Sequence, residues 1–224
     1  MFSDFFRQVG VLDTIRVTLV MSFFSTTIAS LLGVSLGLSL ERNRFPGKKI
    51  VVRINRTMMG IPPVVAGLIT YMILMRQGPL GILGWLFTIQ GMVMAQVIII
   101  TPIICGMVYS SASHAAPSIR AFAKSIGADK RQANRLAIRE LRSEIYFAII
   151  TGFGRSISEV GAVMLVGGNI KGLTRTMTTA IATLQSAGVF KDGITLGICL
   201  LAMAFTIQAV ADRLRREDVL DENL

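Results

Sequence analysis

Charge is scarce in this sequence: 16% of its 224 residues are Asp, Glu, Lys or Arg, while 52% are hydrophobic. Soluble domains carry about 25% charged residues, so the chain holds more apolar surface than one water-facing domain can bury. Intrinsic disorder needs low hydrophobicity and is excluded by the same composition. Cysteine is rarer still. Cys105 and Cys199 each lie in an apolar run, which excludes a disulfide scaffold and reads as two buried thiols. No G-x-x-x-x-G-K-[ST] run occurs, so no phosphate cradle for ATP is encoded. H-E-x-x-H is absent too, and the single histidine, His114, stands at the edge of an apolar stretch without an acidic neighbour in sequence. Neither metal-assisted hydrolysis nor a thiol nucleophile is supported. The expectation is a chain that is not an enzyme and binds no cofactor of its own.

What is present is long uncharged sequence. Such stretches run over 17–40, 57–75, 77–113 and 193–211, with 24, 19, 37 and 19 residues. A fifth, 145–166, is apolar apart from Arg155 and Glu159. A hydrocarbon core about 30 Å thick takes roughly 20 helical residues, so each can cross it. The 37-residue stretch is too long for one crossing, and its opening residues 77–81, Gln-Gly-Pro-Leu-Gly, have turn chemistry. The predicted fold is all-α and polytopic, with five transmembrane helices in one domain over 17–40, 57–75, 86–111, 145–166 and 193–211.

The first apolar run is longer than the roughly 7 to 15 residues of a cleaved signal, and Glu41-Arg-Asn-Arg44 follows it where small residues would mark a cleavage site. Orientation follows from Lys and Arg, which concentrate in cytoplasmic loops. Residues 41–56 carry six, 112–144 carry seven and 212–224 carry three; the opposite side carries two in 1–16, one in 76–85 and three in 167–192. The amino end is therefore expected outside and the carboxyl end in the cytoplasm. This topology accounts for the net charge of +10 without a nucleic-acid partner.

Ala29, Gly33 and Gly37 recur every four residues in the first span and let another helix approach closely. Packing inside one chain and a seam between two copies are equally consistent with them. Pro62 and Pro63 predict that the second span is kinked or starts late, and Pro102 predicts a disruption in the third. Broken backbone at membrane depth is tolerated where protein or a water-filled cavity satisfies it. It is compatible with a transport path and with an ordinary bundle.

Between spans three and four, apolar Ile119, Phe122, Ala123 and Ile126 after Pro117 share one helical face. A break at Gly127-Ala-Asp129 precedes Leu136, Ala137 and Leu141 at helical spacing, among Lys130, Arg131, Arg135 and Arg139. Two short amphipathic helices over 118–141 are predicted. They could lie along anionic lipid or dock a cytoplasmic partner.

The segment 121–127, Ala-Phe-Ala-Lys-Ser-Ile-Gly, resembles the coupling loop of ATP-binding-cassette importer permeases, although Ala121 stands where that motif has glutamate. Segments 44–47 (Arg-Phe-Pro-Gly), 61–67 (Ile-Pro-Pro-Val-Val-Ala-Gly), 78–81 (Gly-Pro-Leu-Gly) and 154–170 are similar to permeases of the tungstate, molybdate and sulfate group. Ser-Glu-Val-Gly at 158–161, followed by Gly-Gly-Asn and by Thr-Met-Thr-Thr at 176–179, is most like the tungstate type. The resemblance implies a permease subunit in the cell inner membrane. It would pair with a second copy, two cytoplasmic ATPase subunits that hold ATP and Mg, and one external oxyanion-binding protein. It also implies that Ala121, Phe122, Ala123, Ile126, Gly127, Ala128, Lys130 and Arg131 form the contact with the ATPase, and that the anion passes by alternating access. A passive anion channel and a non-transporting scaffold subunit are the readings from other classes.

Arg155 lies ten residues into a helix begun at Ile145, roughly 15 Å deep. A lone charge there costs at least ~2.5 kcal/mol, so a partner is required. Glu159, four residues on, can supply it. The pair either fixes packing or lines a path or gate. Beyond it, Asn169, Thr178 and Thr179 belong to a polar outer segment that either offers weak contacts to a dianion or simply closes that side.

Overall fold

The computed structural model describes the backbone of residues 10–221 and the side chains of 10–213. Arg7 and the side chains of Arg215 and Arg216, which contribute to the orientation count, lie outside those limits. All regular structure in the described residues is helical: α1 (Val11–Arg42), α2 (Lys48–Met59), α3 (Pro63–Leu74), α4 (Ile89–Ser125), α5 (Lys130–Glu140), α6 (Arg142–Ile157), α7 (Gly161–Gly167), α8 (Met177–Ser186) and α9 (Phe190–Asp221), with one 3-10 turn at Gly81–Leu83. By length and composition, α1, α4 and the Phe190–Arg213 part of α9 can each cross a membrane. Two bent pairs, α2 with α3 at 104° and α6 with α7 at 58°, bring the number to five if each is one span.

The bounds differ from the expected spans for identifiable reasons. Residues 57–59 finish α2, and the chain turns at Gly60–Pro62. Helix resumes with Pro63 at its first position, where a missing N–H costs nothing. The fourth span begins earlier, at Arg142, and is interrupted at 158–160. The third starts at Ile89 instead of Leu86, with the Thr88 hydroxyl accepting from the Gly91 N–H. It then runs 37 residues without interruption, through Pro102 and Pro117, into what reads in sequence as a separate amphipathic helix.

Helix α4 is the spine. Ala29, Gly33 and Gly37 of α1 are buried against it, so their small-residue face is an internal packing seam. A Cβ added at Gly33 would lie 2.8 Å from Ile104 Cβ, and one at Gly37 would lie 2.9 Å from the Cys105 carbonyl oxygen. Ala66 and Leu74 of α3 meet Ala95 and Ile99 of α4 and Ala162 and Val166 of α7 in a second cluster. The α3–α7 crossing is close enough that a Cβ at Gly67 would come within 2.6 Å of Ala162 Cα.

Large apolar side chains point outward as well as inward. Phe23, Phe24 and Leu31 on α1 are exposed, as are Ile194, Ile198, Leu201 and Phe205 on α9. Helix α9 rests on α8 through Leu196, Met177 and Ala180 and keeps its outer face apolar. Such a surface suits hydrocarbon and not water.

Candidate functional site

The break in the α6–α7 pair is organised by one carboxylate. Glu159 Oε2 is 2.8 Å from Arg155 Nη1, and Oε1 accepts from the Ala162 N–H at 3.2 Å. The Glu159 carbonyl accepts from Thr178 Oγ1 at 2.8 Å. A single residue thus joins the last turn of α6, the first turn of α7 and the start of α8. The carboxylate is 2% exposed and the Arg155 side chain 32%. The guanidinium is therefore the accessible member of the pair, and the negative group is turned inward.

Thr178 and Thr179 are buried and already hydrogen-bonded. Thr176 and Thr179 form a capping box at the start of α8, and the Thr176 and Thr178 hydroxyls lie 2.9 Å apart. The Met177 N–H donates to Thr18 Oγ1 of α1 at 2.9 Å. Asn169 sits farther along, in left-handed backbone with φ 51°, where it donates to Thr183 and accepts from Arg175. The structure therefore gathers Arg155, Glu159, Thr178 and Thr179 around one break and ties Asn169 to the adjoining loop.

Sequence reading missed two parts of this region. Phe147 and Thr151 on α6 and Ser158 just past its end are exposed, and at spacings of four and three they continue the stripe that carries Arg155. The i, i+4 relation of Thr151 to Arg155 was the available signal. Behind the break, the Ser25 and Ser156 hydroxyls are 2.9 Å apart, and Gln96 Nε2 donates to the Ser156 carbonyl at 3.4 Å. These polar groups join α1, α4 and α6 in an otherwise apolar interior. Gln96, a polar residue in the middle of an apolar run, was their trace in the sequence.

A second feature is the elbow where α4 turns into α5. The Gly127 N–H donates to the Lys124 carbonyl and the Ala128 N–H to the Ala123 carbonyl, both at 3.0 Å, closing the end of α4 in a Schellman arrangement. Gly127 has φ +88°, which an L side chain rarely adopts. Asp129 then caps α5: its carboxylate accepts from the Arg131 and Gln132 N–H groups, and the Gln132 side chain accepts from the Asp129 N–H. Ala123, Ala133 and Ala137 are buried, while Phe122 and Ile126 are 63% and 68% exposed beside exposed Ala121, Gly127, Lys130 and Arg131. Ala128 is half-buried. The expected apolar face therefore divides into an inner part that packs and an outer knob.

Arg120 braces the elbow, donating from both Nη atoms to the two oxygens of Glu41 at 2.7 and 2.6 Å. That hydrogen bond raises the pKa of the guanidinium above its ordinary value.

These features define a helical membrane protein with a broken polar span and a projecting elbow. Residues 29–216 match the family described as the Binding-protein-dependent transport system inner membrane component, and the chain belongs to that family. It is 40% identical over 193 residues to the tungstate uptake system permease protein TupB of Peptoclostridium acidaminophilum, covering 86% of this chain and 85% of that one. A probable anion ABC transporter permease protein of Haloferax volcanii is 35% identical over 204 residues, covering 89% and 88%. Among solved structures, a bacterial ABC transporter involved in import of the acidic polysaccharide alginate superposes with a TM-score of 0.71 at 18% identity, covering 92% of this chain and 79% of that one. The fold is that of an ABC importer permease, and the chain is a multi-pass membrane permease subunit.

Proposed function

We propose that the chain forms the membrane path of an ATP-driven importer for a tetrahedral oxyanion, with tungstate the first candidate. The carrying observation is the charge arrangement at the break: the Arg155 guanidinium emerges on an exposed stripe with Phe147, Thr151 and Ser158, while Glu159 stays buried. The Thr151 and Ser158 hydroxyls donate locally to the Phe147 and Arg155 carbonyls. Hydrocarbon cannot satisfy the exposed part of the Arg155 guanidinium, which supports pairing with a second copy so that two such groups face one central path. Arg155 and Glu159 act there as gate, and Thr178, Thr179 and Asn169 hold the gate's outer support. The similarity to a tungstate permease supports the choice of anion.

In this reading the elbow 118–141 faces the cytoplasm and receives an ATPase subunit on Ala121, Phe122, Ile126, Gly127, Lys130 and Arg131, with Ala123 and Ala128 supporting it from behind. ATP and Mg are held by two such ATPases and none by this chain. An external binding protein delivers the anion, the amino end lies outside and the carboxyl end inside. Closure of the ATPases moves the elbows and alternates access to the path. Tungstate, molybdate and sulfate are all tetrahedral dianions, so the binding protein sets the choice among them.

The test is uptake of labelled tungstate into proteoliposomes holding the permease, its ATPase and its binding protein. Uptake that requires ATP and all three components is expected. Flux without ATP would replace this reading with a passive channel, and a fully assembled complex without flux would replace it with a scaffold.

A further inference from the structure

Helix α2 presents three distinct faces. Val52, Asn55 and Met59 turn toward α4, where Asn55 Nδ2 donates to the Pro102 carbonyl at 3.2 Å and Met59 lies against Gly106. Lys49, Arg53 and Arg56, at i, i+4 and i+7, form a cationic stripe. Ile50, Val51 and Ile54 form an apolar stripe beside it, 64%, 41% and 57% exposed.

A cavity of about 830 Å³ opens along this helix, lined by Arg44, Lys48, Lys49, Arg53, Arg56 and Tyr109 among others, with no carboxylate in its lining. Lys48 is engaged: its Nζ donates to the Glu41 and Asn43 carbonyls and sits 5.6 Å from the centre of the Tyr109 ring. Arg44, Lys49, Arg53 and Arg56 make no side-chain hydrogen bond or ion pair with any described residue. Arg56 lies in the last turn of α2, where the macrodipole favours a cation, but the charges at the start of the helix do not serve it. Lys48 and Lys49 occupy the first turn, where the macrodipole disfavours cations, and no acidic residue balances them there.

We propose that this cavity binds the phosphate of an anionic phospholipid headgroup. Guanidinium groups take phosphate oxygens in pairs, and four unpartnered cations around one hollow supply the donors. The adjacent apolar stripe selects a lipid over a soluble acidic partner. Helix α2 leaves α3 at 104° and therefore lies across the direction of that span, with Ile50, Val51 and Ile54 placed to enter the acyl region while the cations stay at headgroup level. The site stands on the chain's membrane location and is independent of which anion the permease carries.

The experiment is native mass spectrometry of the full-length permease released from micelles holding equal phosphatidylglycerol and phosphatidylcholine. Preferential retention of phosphatidylglycerol is expected. It should weaken roughly fivefold for each charge removed across Lys49→Gln, Arg53→Gln and Arg56→Gln. The charge-keeping variant Lys49→Arg/Arg53→Lys/Arg56→Lys should retain the lipid and so separates loss of charge from loss of fold. Arg135→Gln/Arg139→Gln on α5 should leave retention unchanged. Equal retention by the neutral triple variant and the wild type would overturn the proposal. So would displacement of the lipid by excess inorganic phosphate, which would mark a soluble anion site, or loss of ATPase copurification with lipid retention intact, which would mark an acidic protein surface.

Discussion

Thr178 Oγ1 donates to the Glu159 carbonyl at 2.8 Å across 19 residues of sequence, so the polar loop after α7 returns to close the break that precedes it. The carbonyl of a broken helix has lost its partner along the axis, and this hydroxyl replaces it. Thr178→Val should cost about 1–2 kcal/mol and lower the melting temperature of the detergent-solubilised permease, whereas Thr178→Ser should retain most of the stability. Equal melting of the Val variant and the wild type would remove this bond from the account of the break.

Glu159 carries two separable roles. Glu159→Gln keeps an acceptor for the Ala162 N–H but discards the ion pair, while Glu159→Ala discards both. Because Arg155 is about one third exposed, the first should cost only about 1 kcal/mol and the second about 3 kcal/mol. Thermal unfolding in detergent ranks them. Arg155→Gln should leave folding close to that of Glu159→Gln yet depress ATP-driven uptake more strongly, because it removes the exposed member.

Gly67 has no room for a side chain. Gly67→Val should abolish folded protein, since the added atoms meet the backbone of Ala162, which cannot rotate away. Expression and monodispersity on size exclusion give the readout. Gly47→Ala is the contrasting case: nothing lies within 4 Å, and only its φ of +85° opposes the change, by about 1–2 kcal/mol.

The outer knob of the elbow should be dispensable for folding and needed for assembly. Phe122→Ala and Ile126→Ala remove exposed apolar surface, so melting should hold within about 0.5 kcal/mol. Copurification of the ATPase and binding-protein-stimulated ATP hydrolysis should both fall by tenfold or more. Reversal of Lys130 and Arg131 to Glu should act in the same direction. Survival of both readouts in all these variants would withdraw the docking assignment.

Arg120 and Glu41 offer a further check, because their paired hydrogen bonds connect the end of α1 to the far part of α4. Each single substitution to Ala should cost about 1–3 kcal/mol, and the double variant less than the sum. A double-mutant cycle on melting temperature measures the difference.

The sequence was most informative where local chemistry decides the outcome. The break read at Gly127-Ala-Asp129 is where α4 stops and α5 restarts, with Gly127 in left-handed backbone and Asp129 at the cap; the part Gln132 takes in that cap was not read from the sequence. Pro117 misled for the opposite reason: it reads as a helix boundary, yet α4 continues through it, held by Ala112 and Ala116 against Ala137 and Leu141. Gly33 and Gly37 announced a close approach without naming the partner, because two small residues fit any helix that presents a ridge. The bond from Thr178 to Glu159 and the contact between Ser25 and Ser156 join distant segments, and periodicity contains no information about such meetings.

One consequence follows from α4 being a single helix. At about 1.5 Å per residue, its 37 residues form a strut some 55 Å long. One end is the elbow at Ser125. Just beyond the other, the Phe87 N–H donates to the Val166 carbonyl of α7, on the far side of the Glu159 break. Under the proposed docking, a load placed on Phe122 would reach the support of the Glu159 break along one continuous helix, whose hydrogen-bond ladder is thinned only where Pro102 and Pro117 lack an N–H.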